Sequence, residues 1–275
     1  MKRFFITVDV EEDLPGIIPR GQLGLEQGMR DLMRVFSGRE IKADFFFLAS
    51  VVRSHPDLVR EVQSGGHRVG NHGLNHRLLC SQPARAQRAA IRESTRVIEE
   101  VSGDRPRMFR APNFSVDQTT LEILEEADYR VDSSVLPGRA LRRFGFLPIY
   151  DHRASTVTPH LIHGGSSDRT RQPMLELPVT PNPLRPGAPF GLGAVHYYGV
   201  TAMIDALDRV PTPDIVFLIH PWELVDLGRY YPSLPEGYVR SSANGAEKLG
   251  EFMDYVRTRF HLAGVLSYAL EYRSP

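Results

Sequence analysis

The 275-residue sequence predicts an α/β fold, one domain over residues 1–275 built as a barrel of seven or eight strand–helix units. Three observations carry this reading. Short β-rich apolar runs alternate with amphipathic segments, the pattern of a parallel sheet wrapped by helices. The polar signatures follow the C-terminal ends of the expected strands, where barrels build their sites. The length suffices for one barrel with a substantial core.

The first strand is expected at Phe4–Val8, an apolar run that leads straight into Asp9-Val10-Glu11. Further strands are expected at Ala43–Leu48, His67–Gly70, Arg107–Arg110, Tyr129–Ser133, Met174–Val179, Ile215–Ile219 and Leu262–Leu266. Helices fall between them, at Leu23–Ser37, Pro56–Gln63, Ala84–Val101, Gln118–Ala127, Thr201–Arg209 and Gly245–Arg259, several closed by Gly or Pro. Two segments rich in Pro, Gly and Arg, Pro137–Gln172 and Pro181–Val200, read as loops over one rim. No internal repeat or low-complexity tract interrupts the pattern.

Lys plus Arg equals Asp plus Glu, at 33 each, so no global field draws the chain onto nucleic acid or an acidic membrane. One cysteine, Cys80, excludes an internal disulfide framework and a cysteine-rich zinc site. It lacks cationic company apart from Arg77 and is not read as a catalytic thiolate. The first strand begins almost at Met1, which favours a cytoplasmic protein. No apolar run reaches the ~20 residues that span a bilayer, so membrane contact would be peripheral.

The most informative stretch is Asn71-His72-Gly73-Leu74-Asn75-His76, two imidazoles four residues apart after a turn and short strand that aim them at the barrel mouth. Alternation on the first strand sends Asp9 and Glu11 to one face. One carboxylate completes a two-histidine, one-carboxylate set on a divalent ion, and the other takes the proton from a bound water. Glu12 and Asp13 read as a solvated acidic loop.

Arg110, in Phe109-Arg110-Ala111-Pro112-Asn113, is expected to clamp the base carboxylate with a hydrogen-bonded pair. Pro112 stiffens the turn, and the Asn113 backbone N–H faces a developing oxyanion. His220 closes the run Ile215–Ile219 and would protonate a departing amine, with Asp132 as its carboxylate partner. Trp222, the single tryptophan, packs beside His220, floors a sugar subsite or fills core. His55, His67, His152, His160, His163, His196 and His261 lack such company and read as structural. The Arg139, Arg142, Arg143 cluster is either a phosphate-recognition patch or a solvated basic face.

In this order the residues resemble the NodB-homology polysaccharide deacetylases, carbohydrate esterase family 4, over about residues 3–270. Thr7-Val8-Asp9-Val10-Glu11 is similar to the acidic motif and His72-Gly73-Leu74-Asn75-His76 to the histidine motif. Arg110-Ala111-Pro112-Asn113, Asp132-Ser133-Ser134 and Leu218-Ile219-His220 complete the set. The resemblance implies a distorted barrel and one zinc-like divalent ion, with Co, Mn, Fe or Ni as alternatives. It makes Asp9 the general base, Glu11, His72 and His76 the ligands, Arg110 the tether, His220 the general acid and Asp132 its partner.

Three departures stand out: Val10 separates the acids and the second is Glu, which leaves the roles of Asp9 and Glu11 exchangeable; Gly73 replaces the usual hydroxyl residue; Asn113 replaces an aromatic. The runs Phe109–Leu136 and Ile219–Leu224 look most like the branch linked to exopolysaccharide and surface-glycan biosynthesis.

The activity so implied is metal-dependent removal of an N-acetyl group from an amino sugar, lipid-linked, nucleotide-linked or on a small glycan. The alternatives are a deformylase of a lipid-linked aminosugar, an allantoinase-like hydrolase of cyclic amides or ureides, and a glycan-binding barrel without chemistry. The oligomeric state is left open.

Overall fold

The computed structural model describes residues 1–162, 173–235 and 243–272. Eleven strands lie among them: β1 (Arg3–Val10), β2 (Asp44–Phe47), β3 (Arg68–Asn71), β4 (Met108–Phe109), β5 (Val131–Asp132), β6 (Ala140–Arg143), β7 (Leu147–Asp151), β8 (His160–Ile162), β9 (Met174–Glu176), β10 (Asp214–Ile219) and β11 (His261–Leu262). The main sheet runs β10-β1-β2-β3-β4-β5-β9-β8, with β11 added beside β1. All its ladders are parallel except β8 on β9. The sheet curls into a half-barrel, and among the described residues no ladder joins β8 to β10. The expected distorted α/β barrel is therefore present, open between the strands at the two ends of this order.

The ten α-helices of the described residues are α1 (Met29–Ser37), α2 (Ala49–Ser54), α3 (Pro56–Ser64), α4 (Ala84–Ser102), α5 (Gln118–Glu126), α6 (Leu192–Tyr198), α7 (Val200–Ala206), α8 (Leu227–Tyr230), α9 (Gly245–Arg259) and α10 (Val265–Glu271). α4 stops at Gly103, whose φ of 76° is the left-handed conformation that glycine adopts freely. α5 starts from Asp117, whose side chain accepts from the Thr120 N–H while the Thr120 hydroxyl reaches back.

The alternation of β1 sorts its side chains between two cores. Phe4, Ile6, Val8 and Val10 pack outward against the helical layer with Leu32, Phe36 and Phe252. Phe5 points the other way, into the barrel, with Phe46, Met108, Val131, Leu175, Val216 and Leu218. A third cluster outside the sheet joins Phe109 and Met174 to Tyr129 and Ile123. Complete burial of each such Phe stabilises by roughly 1.5–3 kcal/mol, so the parity of a strand is fixed by its apolar residues.

The expected strands are found, some shorter, and the differences have local causes. The run Leu262–Leu266 is strand only to Leu262, because the chain turns at Gly264 and enters α10 at Val265. The Pro181–Val200 segment is not all loop: Gly191 and Gly199 bracket α6, which buries Leu192 and Val195. The Pro137–Gln172 segment holds the antiparallel hairpin β6–β7 and strand β8; residues 163–172, with the structural reading of His163, lie outside the described part. Among the described residues no helix is long and apolar enough to cross a membrane.

Candidate metal and acyl-transfer site

Inward parity carries the chemistry to one place. Thr7 and Asp9 on β1 continue the inward set of Phe5, and Glu11 follows one residue past the strand. His72 follows β3, its backbone N–H held by Phe47 O at 2.8 Å. Arg110 lies two residues after inward Met108, and His220 two after inward Leu218. All of these are ends of parallel strands, so they meet at the C-terminal mouth of the barrel.

Glu11 stands at the centre and is almost fully buried. Its Oε2 lies 2.8 Å from His76 Nε2 and 3.5 Å from His72 Nε2. Its Oε1 lies 3.6 Å from His220 Nε2 and accepts from Trp222 Nε1 at 3.4 Å. Burial opposes its ionisation, but the charge of His220 and the contacts with His72 and His76 outweigh that. The carboxyl is held well below the usual range.

Asp9 is set apart from this group by Arg110. The wholly buried guanidinium donates from Nη1 to Asp9 Oδ1 and to Thr7 Oγ1, both at 2.9 Å. It also donates from Nη2 to Ser133 Oγ at 2.8 Å and from Nε to Ser133 O at 2.9 Å, and it lies over the Phe46 ring at 4.5 Å. Five contacts fix one rotamer, and Asp9 is left with Oδ2 facing His72 Nε2 at 3.8 Å.

The imidazoles fit a cation. His72 Nδ1 is 2.8 Å from the Arg110 carbonyl, an acceptor, so Nδ1 carries a proton and Nε2 is the ring nitrogen turned toward Glu11. Glu11 Oε2, buried, has no hydrogen-bond partner among the described residues. An Nε2 facing a carboxylate needs a positive charge between them, supplied by a proton or by a metal. Ligand atoms of Glu11, His72 and His76 all lie within 4.8 Å of one another, the convergence that a single ion requires.

The loop bearing the histidines is braced in a way the sequence did not disclose. Gly73 has φ 91°, and its N–H donates to Asn71 Oδ1 at 2.7 Å. Asn71 Nδ2 donates in turn to Ser94 Oγ and Tyr129 OH, at 2.8 and 2.7 Å. Asn71 thus holds the turn at Gly73. Asn113, at φ 53° in an exposed turn, places its amide Nδ2 3.3 Å from His76 Nδ1, so its side chain meets the site as well as its backbone.

The expected pairing of His220 with Asp132 is not formed. Val131 points into the barrel, so Asp132, one residue on, points outward. There it stands opposite Glu176 in the β5–β9 register and accepts from Ser134 Oγ at 2.5 Å. Burial raises Asp132 to about 6, and burial with the Asp132 charge raises Glu176 well above the usual range, so the pair favours keeping a proton.

His220 instead has Glu223, three residues on, with Oε2 3.6 Å from Nδ1 and 2.8 Å from the His220 N–H. Burial alone would lower His220, but Glu11 and Glu223 push it up to about 9. Trp222 stacks on it with ring centres 4.9 Å apart and planes at 21°. Beside them opens a cavity of about 220 Å³ lined by Arg185, Gly191, Tyr197, Leu218, His220 and Trp222.

Thr7, Ser133, Asn71, Glu176 and Glu223 were missed from the sequence. Thr7 had a signal in its i−2 spacing from Asp9, and Glu223 in its i+3 spacing from His220. Of the histidines read as structural, His67 packs between Phe36 and Phe45 and accepts from Ala43 N–H; burial lowers it to about 4. Cys80 is raised by burial to about 11, against a nucleophilic role.

Known proteins resemble this chain in sequence and in fold. The polysaccharide deacetylase family matches residues 7–131. The chain is 25% identical over 125 residues to the peptidoglycan deacetylase of Helicobacter pylori, covering 46% of this chain and 43% of that one. It is 26% identical over 146 residues to a peptidoglycan-N-acetylglucosamine deacetylase of Bacillus cereus, covering 51% and 67%. A solved structure of a candidate polysaccharide deacetylase from Mycobacterium smegmatis superimposes with a TM-score of 0.68 at 17% identity, over 98% of this chain and 88% of the other. Fold, ordered motifs and these matches together support membership of the polysaccharide deacetylase family, carbohydrate esterase family 4, whose model covers the first half of the barrel.

Proposed function

We propose that this protein, one barrel domain, is a metal-dependent amide hydrolase that removes the N-acetyl group of an amino sugar during surface-polysaccharide assembly. The observation that carries the reading is the division of labour between two buried carboxylates: Glu11 converges with His72 and His76, while Asp9 is tethered by Arg110 beside them.

Glu11, His72 and His76 would hold one divalent ion, zinc by ligand type, which would supply Lewis-acid chemistry to the acetyl carbonyl and to a water. Asp9, its rotamer fixed by Arg110, is placed to take a proton from an attacking water through Oδ2. The Asn113 backbone N–H, on its exposed turn, is offered to the developing oxyanion. His220, charged between Glu11 and Glu223, gives its proton to the amine as acetate leaves. Asn113 supports His76: a half-turn of its amide presents Oδ1 to an Nδ1–H and frees Nε2 for the ion. Trp222 fixes the His220 ring.

The test is acetate release from an N-acetylated chitooligosaccharide by zinc- or cobalt-loaded protein, before and after chelation. Acetate release that stops with chelator and returns with metal supports the proposal. Formate from a formylated amino sugar instead would make it a deformylase. Glycan binding without acyl release by the loaded protein would reduce it to a binding barrel.

A further inference from the structure

The hairpin β6–β7 ends in the loop Phe144-Gly145-Phe146, whose two rings are 6.4 Å apart and 74% and 67% exposed. Phe144 has φ 54° and Gly145 φ 79°, so a bulky aromatic occupies a left-handed turn position that ordinarily goes to Gly or Asn. Two aromatics at the outermost point of a hairpin gain nothing for the barrel core, and their exposure opposes solubility.

The hairpin is tied to the site. Tyr150 on its return strand donates to Asn113 O at 2.7 Å and accepts from Arg139 Nε at 3.0 Å, and Asn113 in turn reaches His76. Other large exposed apolar side chains lie on segments that leave the C-terminal ends of the strands or line the cavity beside His220. Ile17 follows β1, Tyr197 lines the cavity beside His220, and Tyr230 follows β10. On segments that leave the same strand ends, Arg20, Arg142, Arg185 and Arg229 are exposed, and among the described residues none is in ion-pair contact with a carboxylate, although the charge of Arg142 acts on Asp151. Asp151 on the hairpin is already neutralised by Arg153.

We infer that this face seats on an anionic lipid bilayer, with Phe144 and Phe146 entering the interface and the arginines meeting lipid phosphates. Exposed aromatics beside arginines are the composition that holds a protein at a membrane surface without spanning it. The site would then open toward the bilayer, which makes a membrane-borne amino sugar the substrate class; that last step rests on the deacetylase reading, whereas the lipid contact does not.

Co-sedimentation with phosphatidylcholine vesicles, with and without phosphatidylglycerol, tests it on the full chain. Wild-type protein is expected to pellet with the phosphatidylglycerol vesicles, and less so as salt rises. The double variant Phe144→Ser/Phe146→Ser should bind at least about tenfold more weakly, since each Phe supplies roughly that factor by apolar burial. An unchanged melting temperature and unchanged acetate release from a soluble oligosaccharide would show that the variant's fold and site are intact. Wild-type protein that stays in the supernatant at low salt, or a variant that binds as well as wild type, overturns the inference. Loss of deacetylation with retained vesicle binding would instead count against the catalytic reading alone.

Discussion

Asp132 and Glu176 stand opposite one another on β5 and β9, two carboxyls buried on the side of the sheet that faces away from the imidazoles. Both are raised above their ordinary values, Asp132 to about 6 and Glu176 further. A carboxyl raised by folding contributes stability that is complete at pH below its unfolded value and is lost as pH climbs through the folded one. Wild-type protein should therefore lose stability from this pair between pH 5 and 8. Glu176→Gln, permanently neutral, should lose about 1–3 kcal/mol less over the same interval, because a tenfold change in proton affinity on folding is worth about 1.4 kcal/mol. Urea midpoints at pH 5 and 8 measure this; equal changes in the two proteins would mean that no proton is shared.

Arg110 is the least replaceable residue of the site. Arg110→Ala removes the guanidinium from a fully buried pair and leaves Asp9 without its partner, which should destabilise by about 3–5 kcal/mol. Arg110→Lys keeps the charge but cannot reach Thr7, Asp9 and Ser133 together. Misplacement of Asp9 by an ångström costs about 100-fold, so kcat for acetate release should fall by at least that much while the fold survives. A Lys variant with unimpaired kcat would deny the tether its role.

His220→Ala is expected to lower kcat about 10²- to 10⁴-fold, the usual worth of a positioned general acid. Cobalt affinity should change little, because the convergent ligand set does not include His220. Calorimetric titration with cobalt beside the rate measurement separates the two. Glu223→Gln removes one of the charges that raise His220 and should move the alkaline limb of the pH–rate profile downward.

Metal affinity itself should divide by contact. Glu11→Ala and His72→Ala delete ligand atoms and should abolish zinc binding in the micromolar range. Asn113→Ala touches only the back of His76 and should weaken it about 10- to 100-fold. Saturating zinc at about 100 times its dissociation constant should stabilise wild type by ~2.7 kcal/mol, and Glu11→Ala not at all; thermal melts with and without the ion decide this.

Much of this protein was written in the order of its residues. Apolar runs such as Phe4–Val8 and Ile215–Ile219 have one stable use in a chain of this length, as strands covered on both faces, and the helices between them follow from their amphipathic period. Asp9, Glu11, His72, Arg110 and His220 were identifiable because each lies at or just past the C-terminal end of a strand, and His76 because it stands four residues after His72.

Tertiary structure decided what alternation alone could not. Asp132 sits one residue from inward Val131, and only the packing of Val131 against the barrel core reveals that the carboxyl belongs to the outer face with Glu176. The bracing of Gly73 by Asn71 and the support of Arg110 by Thr7 and Ser133 join strands far apart in sequence. The hairpin that lifts Phe144 and Phe146 away from the barrel lay inside a segment whose composition read as loop. Local pattern determines which elements form and which way each residue points once register is known; register, pairing and exposure come from long-range burial, which no single segment encodes.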